Sequence, residues 1–284
     1  IYDDFYTSVY IDAFVGILTG CGFAAVMLHR EKDPVYFLYL SLLCFCLELA
    51  KDAGLLFAVF IVLAFLLDWL MDRYRCRERI GPAGLFAGLS PVLALLFAKL
   101  SWSLELARRG VVKVFDQPID FLAYTKMFFL HNGTAFRQTV VDLFQQQFSK
   151  VSMGFGFKFI ETSYLVLSVA FGLMLVAALF AYKRREPERK WNRLAALMML
   201  VLCTAVYIYG LGSIYAYRFT EREAYNLFSY SRYMNMAYEA AWILIVLLCL
   251  AYVQEYRQDS RKSNTAMALV LLVSLLPLNA LAMT

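Results

Sequence analysis

Long apolar runs alternate with short polar gaps along the whole chain. Each run is close to the roughly 20 residues that a helix needs to cross about 30 Å of hydrocarbon, with 35–50 the shortest. The runs lie at about 8–28, 35–50, 54–71, 82–103, 163–182, 194–217, 234–253 and 264–284. The pattern therefore predicts an all-α fold, a polytopic transmembrane bundle of about eight spans.

Basic residues cluster in every second gap between these runs. More than half of the 27 Lys and Arg lie in the four clusters, at 29–32, 73–79, 183–193 and 257–262. Because positive loops stay on the cytoplasmic side of a membrane, the other gaps and both chain ends are predicted to face outward. Since the chain starts at Ile1 on that outer side, we expect a fragment that lacks a preceding span.

The composition agrees with a membrane protein and excludes several other classes. Hydrophobic residues make up 62% of the chain, against about 45–50% in soluble domains. The net charge of +5 does not indicate nucleic-acid binding, because the positive residues occupy short loops between spans. The six cysteines lie in spans or an inner loop without a CxxC pair, which makes disulfide or zinc chemistry a poor interpretation.

One outward gap, 104–162, is much longer than the others and is predicted to be an extracytoplasmic insertion in a single domain, 1–284. We expect a first helix from Asp116-Gln117-Pro118 to about His131 and a second from near Thr134. The predicted apolar stripes are Ile119, Leu122, Lys126, Phe129 and Leu130, then Phe136, Val140, Leu143, Phe144 and Phe148. Two amphipathic helices on the outer membrane surface and a small subdomain that packs on itself are both compatible with this pattern.

Ionisable residues collect where the spans meet the outer surface, and each such residue in a membrane is a candidate for function. Asp3 and Asp4 form a carboxylate pair in a predicted outer loop, which suits a divalent cation or a general base. Asp12 lies inside the first span and needs either a water-filled cleft or a cationic partner. Lys51 or Lys99 could be that partner.

Lys51 and Arg232 have the character of phosphate-binding residues. Lys51 stands at a joint that leaves almost no loop between the second and third spans, so it must lie at the outer surface. A local ion pair with Glu48 or Asp52 is the structural alternative for this lysine. Arg232 precedes a span and offers a planar fork to phosphate oxygens, although its aromatic neighbours also suit an interfacial belt.

Three segments of the chain resemble bacterial glycosyltransferases of the GT-C fold, which use polyprenyl-phosphate-linked sugars on the extracytoplasmic face. They are Tyr6–Asp12 entering a span, Lys51–Leu55 opening another, and Ser231–Met234 before a late one. The resemblance implies an enzyme of the bacterial cytoplasmic membrane. Such an enzyme transfers a sugar from a polyprenyl phosphate to a cell-envelope glycan or lipid acceptor, and membrane lipid, donor and acceptor are its partners.

The resemblance also implies roles for the candidate residues. An acidic residue of the first outer loop serves such enzymes as catalytic base, and Asp3 or Asp4 matches it by location; Asp12 is the further acidic candidate. A basic residue near the donor phosphate is matched by Lys51 or Arg232, with Lys99 as a third candidate. Because that outer loop normally follows a first span, the acid could also lie upstream of Ile1. Some relatives need a divalent cation, and the resemblance leaves open whether this chain does.

Two other classes of protein remain as alternatives. A flippase for lipid-linked saccharides, or another transporter, typically carries polar or broken positions near the membrane mid-plane. A membrane scaffold without catalytic activity would leave the clustered outer charges unexplained. The ionisable residues here lie mostly at the outer ends of the spans, which favours chemistry at that surface.

Overall fold

The computed structural model shows a bundle built almost wholly of α-helices. It describes residues 2–29, 31–77, 81–110, 118–150, 153–155, 160–183 and 187–255. The predicted span 264–284 and the basic cluster 257–262 lie outside these ranges, and so does the predicted helix start at Asp116-Gln117.

The helices follow the predicted apolar runs, and most of them extend beyond the ends of those runs. They are α1 Tyr2–Leu28, α2 Pro34–Ala50, α3 Asp52–Cys76, α4 Pro82–Arg109, α5 Phe121–Leu130, α6 Ala135–Ser149, α7 Tyr164–Lys183, α8 Lys190–Tyr217, α9 Glu221–Tyr225 and α10 Tyr230–Glu255. Two short strands, β1 Met153–Phe155 and β2 Ile160–Thr162, pair antiparallel with Met153 opposite Thr162. A 3₁₀ turn, Pro187–Arg189, leads into α8.

Five of the described helices are long and apolar enough to cross a membrane. They are α3, α4 and α8, with Ile11–Leu28 of α1 and Tyr230–Gln254 of α10. Helix α2 and the fully described part of α7, Tyr164–Phe180, are shorter, so the predicted count of eight spans is not confirmed. Large apolar side chains of α4, such as Phe86 and Phe97, are 70% and 65% exposed, as a lipid-facing helix requires. The chain is therefore an integral membrane protein.

Successive long helices run in opposite directions, which gives the bundle two distinct ends. At one end, named here the Lys51 end, α2 passes into α3. Helices α7 and α10 begin close together at this same end, where Tyr164 donates a hydrogen bond to the Ser231 carbonyl. At the other, the Asp68 end, the start of α2 meets the last turns of α3 and the start of α8 through Lys32, Asp68 and Asn192. The long helices thus connect two polar layers across an apolar middle.

Helices α1 and α10 pack closely against each other at two glycines. Gly16 and Gly20, four residues apart, face α10. A Cβ atom added at Gly16 would lie 2.8 Å from the Met236 carbonyl oxygen, and one added at Gly20 would lie 2.7 Å from the Ala240 carbonyl oxygen. Small residues at this spacing let two membrane helices approach until their backbones touch. The seam fixes α1 against α10, and with it the residues one turn further toward the Lys51 end.

Helices α5 and α6 lie over the Lys51 end. They pack on each other and on α8, where Tyr124 and Met127 of α5 are buried against Ala216 and Tyr217. Helix α6 begins at Ala135 after its N-cap Thr134, as predicted.

The predicted first helix of this segment was wrong in its start, and its predicted apolar stripe does not pack on the protein. Helix α5 begins at Phe121, because the Asp120 side chain accepts a hydrogen bond from the Ala123 amide and caps the helix. The expected stripe is exposed, with Leu122 at 69% and Phe129 at 66%. In a membrane protein an apolar face can point to lipid, so apolar spacing does not identify the face that packs on protein.

Replacing Gly20 by Ala tests the α1–α10 seam. The added methyl meets the Ala240 backbone and Ile243, neither of which can move far, so we expect the free energy of unfolding to fall by about 1–3 kcal/mol. Gly172→Ala is the matched control, because within the described residues no atom outside the nearby backbone of its own helix lies within 4 Å of its Cβ position. Denaturant unfolding in detergent micelles measures both, and equal stability of the two variants would contradict the seam.

Candidate functional site

The junction between α2 and α3 places Lys51 at the Lys51 end of the bundle. Helix α2 ends at Ala50 and α3 begins at Asp52, so Lys51 alone connects them, with extended backbone angles of φ −165° and ψ 151°. The predicted absence of a loop is confirmed. Because no other residue separates the helices, the lysine is held at a fixed level and its side chain is only 29% exposed.

Asp12 binds two cations from distant parts of the chain. Its residue is 4% exposed, its Oδ1 accepts a hydrogen bond from Lys51 Nζ, and its Oδ2 lies 3.0 Å from Arg232 Nε. The prediction that this buried carboxylate needs a partner is confirmed, and Lys51 is one of the two. Burial lowers the pKa of the Lys51 ammonium, and the hydrogen bond and charge of Asp12 oppose that shift.

Both cations also lie over one aromatic ring. Lys51 Nζ and the Arg232 guanidinium carbon are each 4.7 Å from the centre of the Tyr233 ring, and Arg232 Nη2 donates a hydrogen bond of 2.9 Å to Tyr233 Oη. The ring faces offset part of the cost of holding two cations side by side. We call Asp12, Lys51, Arg232 and Tyr233 the Asp12 cluster.

Buried tyrosines fix the start of α10 and thereby Arg232. Tyr164, Tyr207 and Tyr215 donate hydrogen bonds to backbone carbonyls, at Ser231, Tyr233 and Phe228 respectively. The distances are 3.2, 2.8 and 2.5 Å, in that order. A tyrosine satisfies its hydroxyl and fills apolar space in one residue, which suits a polar backbone segment inside a membrane bundle.

None of these three tyrosines was predicted from the sequence to belong to the site. Of the aromatic residues expected to form an interfacial belt, Tyr230 and Tyr238 are buried in the protein, while Tyr225 and Phe228 are exposed. A Tyr in an apolar run gives no sign of which distant carbonyl it will bond. The signal available in the sequence was only the high tyrosine content, 19 residues.

A cleft of about 770 Å³ opens beside the Asp12 cluster. It is bounded by α1, α6, the turn after α9, and α10. Charged, amide, hydroxyl and aromatic side chains dominate its lining. They are Asp12, Gln146, Gln147, Lys150, Tyr225, Asn226, Ser229, Tyr230, Ser231, Arg232, Asn235 and Glu239.

Glu239 is the second carboxylate of this cleft. It follows Arg232 by seven residues on α10, about 10 Å along the helix axis at 1.5 Å per residue. Helix α1 packs against Glu239 at Gly16, where an added Cβ atom would lie 2.9 Å from Glu239 Oε2. Among the described residues no cation pairs with this carboxylate, whereas Asp12 has two. The two acids of the cleft are therefore in different chemical situations.

Of the predicted site residues, Lys99 lies apart from the Asp12 cluster, and the side chains of Asp3 and Asp4 fall outside the described residues. Lys99 pairs with Glu48 across α2 and α4, at 3.1 Å, and does not line the cleft. The expected outer loop at Asp3 and Asp4 was wrong, because the backbone of both residues is in the first turns of α1. Their side chains lie outside the described part of the structure, so their catalytic role stays a prediction.

A second polar cluster, at the Asp68 end, is a correction to the sequence interpretation. Asp68 is 1% exposed; its Oδ2 accepts a hydrogen bond from Lys32, and its Oδ1 lies 3.0 Å from Arg189 Nη2 and 2.9 Å from Asn192 Nδ2. The basic cluster 183–193 was interpreted above only as a signal of the chain's orientation in the membrane. Arg189 and Asn192 instead bind this carboxylate and join three segments of the bundle.

A divalent cation has no ready set of ligands here. Among the described residues no group of three or more His, Cys, Asp and Glu could hold a metal ion. Both oxygens of Asp12 face cations, which leaves Glu239 as the available carboxylate among the described residues of the cleft. The metal requirement of some GT-C enzymes is therefore left as an open prediction for this chain.

Comparison with known proteins identifies no relative: no family model, no curated protein and no solved structure matches the chain. The likeness to GT-C glycosyltransferases therefore continues to rest on the three short segments quoted above. The function has to be argued from the cleft and the residues that line it.

Replacing Asp12 by Asn tests whether the carboxylate holds the Asp12 cluster together. The variant leaves two partly buried cations without an anion, so we expect a loss on the order of 2 kcal/mol in the free energy of unfolding. Asp142→Asn is the control, because Asp142 and its partner His131 are much more exposed and such pairs contribute about 0–1 kcal/mol.

A second substitution separates charge from shape in the same test. Adding Lys51→Met to Asp12→Asn removes one of the stranded cations, so the double variant should lose less stability than the sum of the two single variants. Unfolding by denaturant in micelles measures the coupling. Additive losses would contradict a direct interaction.

Proposed function

We propose that this chain is an extracytoplasmic glycosyltransferase that moves a sugar from a polyprenyl-phosphate donor to a cell-envelope glycan or lipid acceptor. The observation that carries the proposal is the cleft at the Lys51 end. It combines a carboxylate without a cationic partner, two cations, and many amide and hydroxyl side chains, all at one end of a membrane-spanning bundle. A phosphate-linked sugar on a lipid needs this mixture of groups.

The basic residues of the short connections between spans support an outward-facing cleft. Within the described residues, Lys32, Arg75, Arg189 and Lys190 all belong to the Asp68 end, opposite the cleft. Positive residues between spans favour the cytoplasmic side. We therefore assign the Asp68 end to the cytoplasm and the Lys51 end to the extracytoplasmic face of a bacterial cytoplasmic membrane.

Arg232 and Lys150 are the proposed ligands of the donor phosphate. Both line the cleft, and within the described part of the chain Arg232 Nη1 makes no hydrogen bond, whereas Nη2 is bonded to Tyr233. Asp12 holds the guanidinium at Nε, and the Tyr233 ring lies beside it. The fork is thus oriented before the donor arrives, which lowers the entropy cost of binding. In this view Asp12 and Lys51 are positioning residues.

Glu239 is the proposed general base. Asp12 was the expected alternative, but Lys51 lies at its Oδ1 and Arg232 at its Oδ2, which leaves neither oxygen open to an acceptor hydroxyl. In the reaction, the acceptor hydroxyl oxygen forms a bond to the sugar C1 while the bond from C1 to the phosphate oxygen breaks. The hydroxyl proton passes to Glu239, and the polyprenyl phosphate leaves with the bonding electrons, stabilised by Arg232 and Lys150.

The neutral polar residues suit recognition of a sugar. Gln146 and Gln147 of α6 line the same cleft as Asn226 and Asn235. Amides both donate and accept hydrogen bonds, as the hydroxyls of a sugar require, and Tyr225 and Tyr230 add ring surfaces. Helix α6 thereby forms one wall of the site.

The arrangement gives less support to the transporter alternative. Directly below the cleft the α1–α10 seam is closed by backbone contact at Gly16 and Gly20, and the Asp68 cluster joins the helices at the opposite end. A saccharide passing through would have to separate both. A cleft that is open at one end fits reaction at a surface better.

Donor binding tests the phosphate site. Arg232→Gln should weaken binding of a short-chain polyprenyl phosphate by about 10-fold or more, as expected for a lost charge-assisted hydrogen bond. Lys99→Gln is the control, because Lys99 lies outside the cleft. Binding is measured on the purified full chain in micelles, and unchanged affinity in Arg232→Gln would remove the basis for a phosphate site.

Transfer tests the base. With a panel of polyprenyl-phosphate sugars, Glu239→Gln should slow release of the free polyprenyl phosphate by about 10²–10⁴-fold while donor affinity stays near that of the parent chain. Asp142→Asn, outside the cleft, is the control. If vesicles holding the parent chain move a labelled lipid-linked saccharide across the bilayer without any transfer product, the chain is a transporter and the enzyme proposal fails.

A further inference from the structure

A second cavity lies far from the cleft, between α7 and α8 at the Asp68 end. Its volume is about 530 Å³ and its walls are almost wholly apolar. From α7 come Gly172, Val176, Leu179 and Phe180, and from α8 come Leu194, Leu197, Met198 and Val201. The cavity begins at Gly172, which leaves open space. Within the described residues no atom outside the nearby backbone of its own helix lies within 4 Å of the Gly172 Cβ position. We call it the α7–α8 groove.

The groove has the length of one membrane leaflet. Its α8 wall runs from Lys190 to Val201, about 16 Å at 1.5 Å per residue. Half of a hydrocarbon core of about 30 Å is nearly the same distance. The apolar walls therefore extend from the surface of the leaflet close to its centre, as an acyl chain of that leaflet does.

Positive charge is confined to one end of the groove. Lys190, Trp191 and Arg193 line it at the start of α8, and Lys190 Nζ lies 4.9 Å from the centre of a ring of Trp191, which is 57% exposed. Trp prefers the level of the lipid headgroups. The polar end of the groove thus coincides with the membrane–water interface.

The three cations at this end do not have the same surroundings. Arg189 binds Asp68, and Arg193 is buried with its Nε donating to the Met27 carbonyl. Lys190 is half-buried, and among the described residues it has no carboxylate partner. Its charge therefore remains available to a ligand whose anionic group reaches the interface.

We propose that the α7–α8 groove binds an anionic phospholipid, with one acyl chain along the apolar walls and the phosphate at Lys190. The positive charge of Lys190 favours an anionic headgroup. Because the groove is as long as one membrane leaflet, it favours a membrane lipid over a soluble anion. The site is independent of the proposed transferase function and lies at the opposite end of the bundle. Its role is to bind a structural lipid of the leaflet at the Asp68 end.

Fluorescence quenching by brominated lipids tests the proposal on the full chain. In a Trp102→Phe background, Trp191 is the remaining strongly exposed tryptophan, since Trp69 and Trp242 are buried. Brominated phosphatidylglycerol, titrated in mixed micelles, should quench it at a mole fraction about fivefold lower than brominated phosphatidylcholine, as one available lysine at the interface predicts. Equal midpoints for the two lipids would overturn the proposal.

Two variants identify the groove and its lysine. Lys190→Gln should remove the preference for the anionic lipid, whereas Lys126→Gln, an exposed lysine of α5 at the other end, should leave it unchanged. Gly172→Leu fills the groove and should weaken quenching by both lipids. A preference that persists in Lys190→Gln, or quenching unaffected by Gly172→Leu, would place the lipid elsewhere and refute the assignment.

Discussion

A carboxylate inside an apolar bundle needs a cation or a water-filled cleft beside it, and this constraint organises the protein. Asp12, Glu48 and Asp68 are each at most 4% exposed, and each binds a lysine from another element: Lys51, Lys99 and Lys32 respectively. Removing one partner of such a pair costs several kcal/mol, because the other charge is left in a medium that solvates it poorly. The pairs therefore specify which helices are neighbours, in addition to the apolar surfaces that are common to all of them.

The two ends of the bundle satisfy this constraint to different degrees. At the Asp68 end both carboxylate oxygens of Asp68 are bonded, and Asn192 also donates to Asp72 Oδ1 at 2.8 Å, so the cluster joins α3 to α8. At the Lys51 end Glu239 has no cationic partner among the described residues. An incompletely paired set of charges beside a cleft is unfavourable for stability alone, and such sets are typical of functional sites.

The sequence predicted the elements well and their contacts poorly. The run 54–71 predicted α3, which continues to Cys76, because helical hydrogen bonds extend through polar residues that an apolar run excludes. The face of α5 could not be predicted, since lipid and protein both accept apolar side chains. Tyr124 packs inward while Leu122 points out, and only the shape of the α8 surface decides between them.

The site was predicted in its residue types more than in its connections. An aspartate inside a span predicts a cationic partner, and Lys51 was among the partners predicted for Asp12. Arg232 was not, because it is 220 positions from Asp12 and no local sequence pattern relates the two residues. What relates them is the α1–α10 seam: Gly16 and Gly20 follow Asp12 by one and two turns, and Met236 and Ala240 follow Arg232 in the same way. With these registers matched, the first polar residues above the close contact must face each other. The proposed role of Glu239 follows from the same register. The seam that brings Arg232 to Asp12 also carries Glu239, beside Gly16, into the cleft, where no cation of the described residues pairs with it.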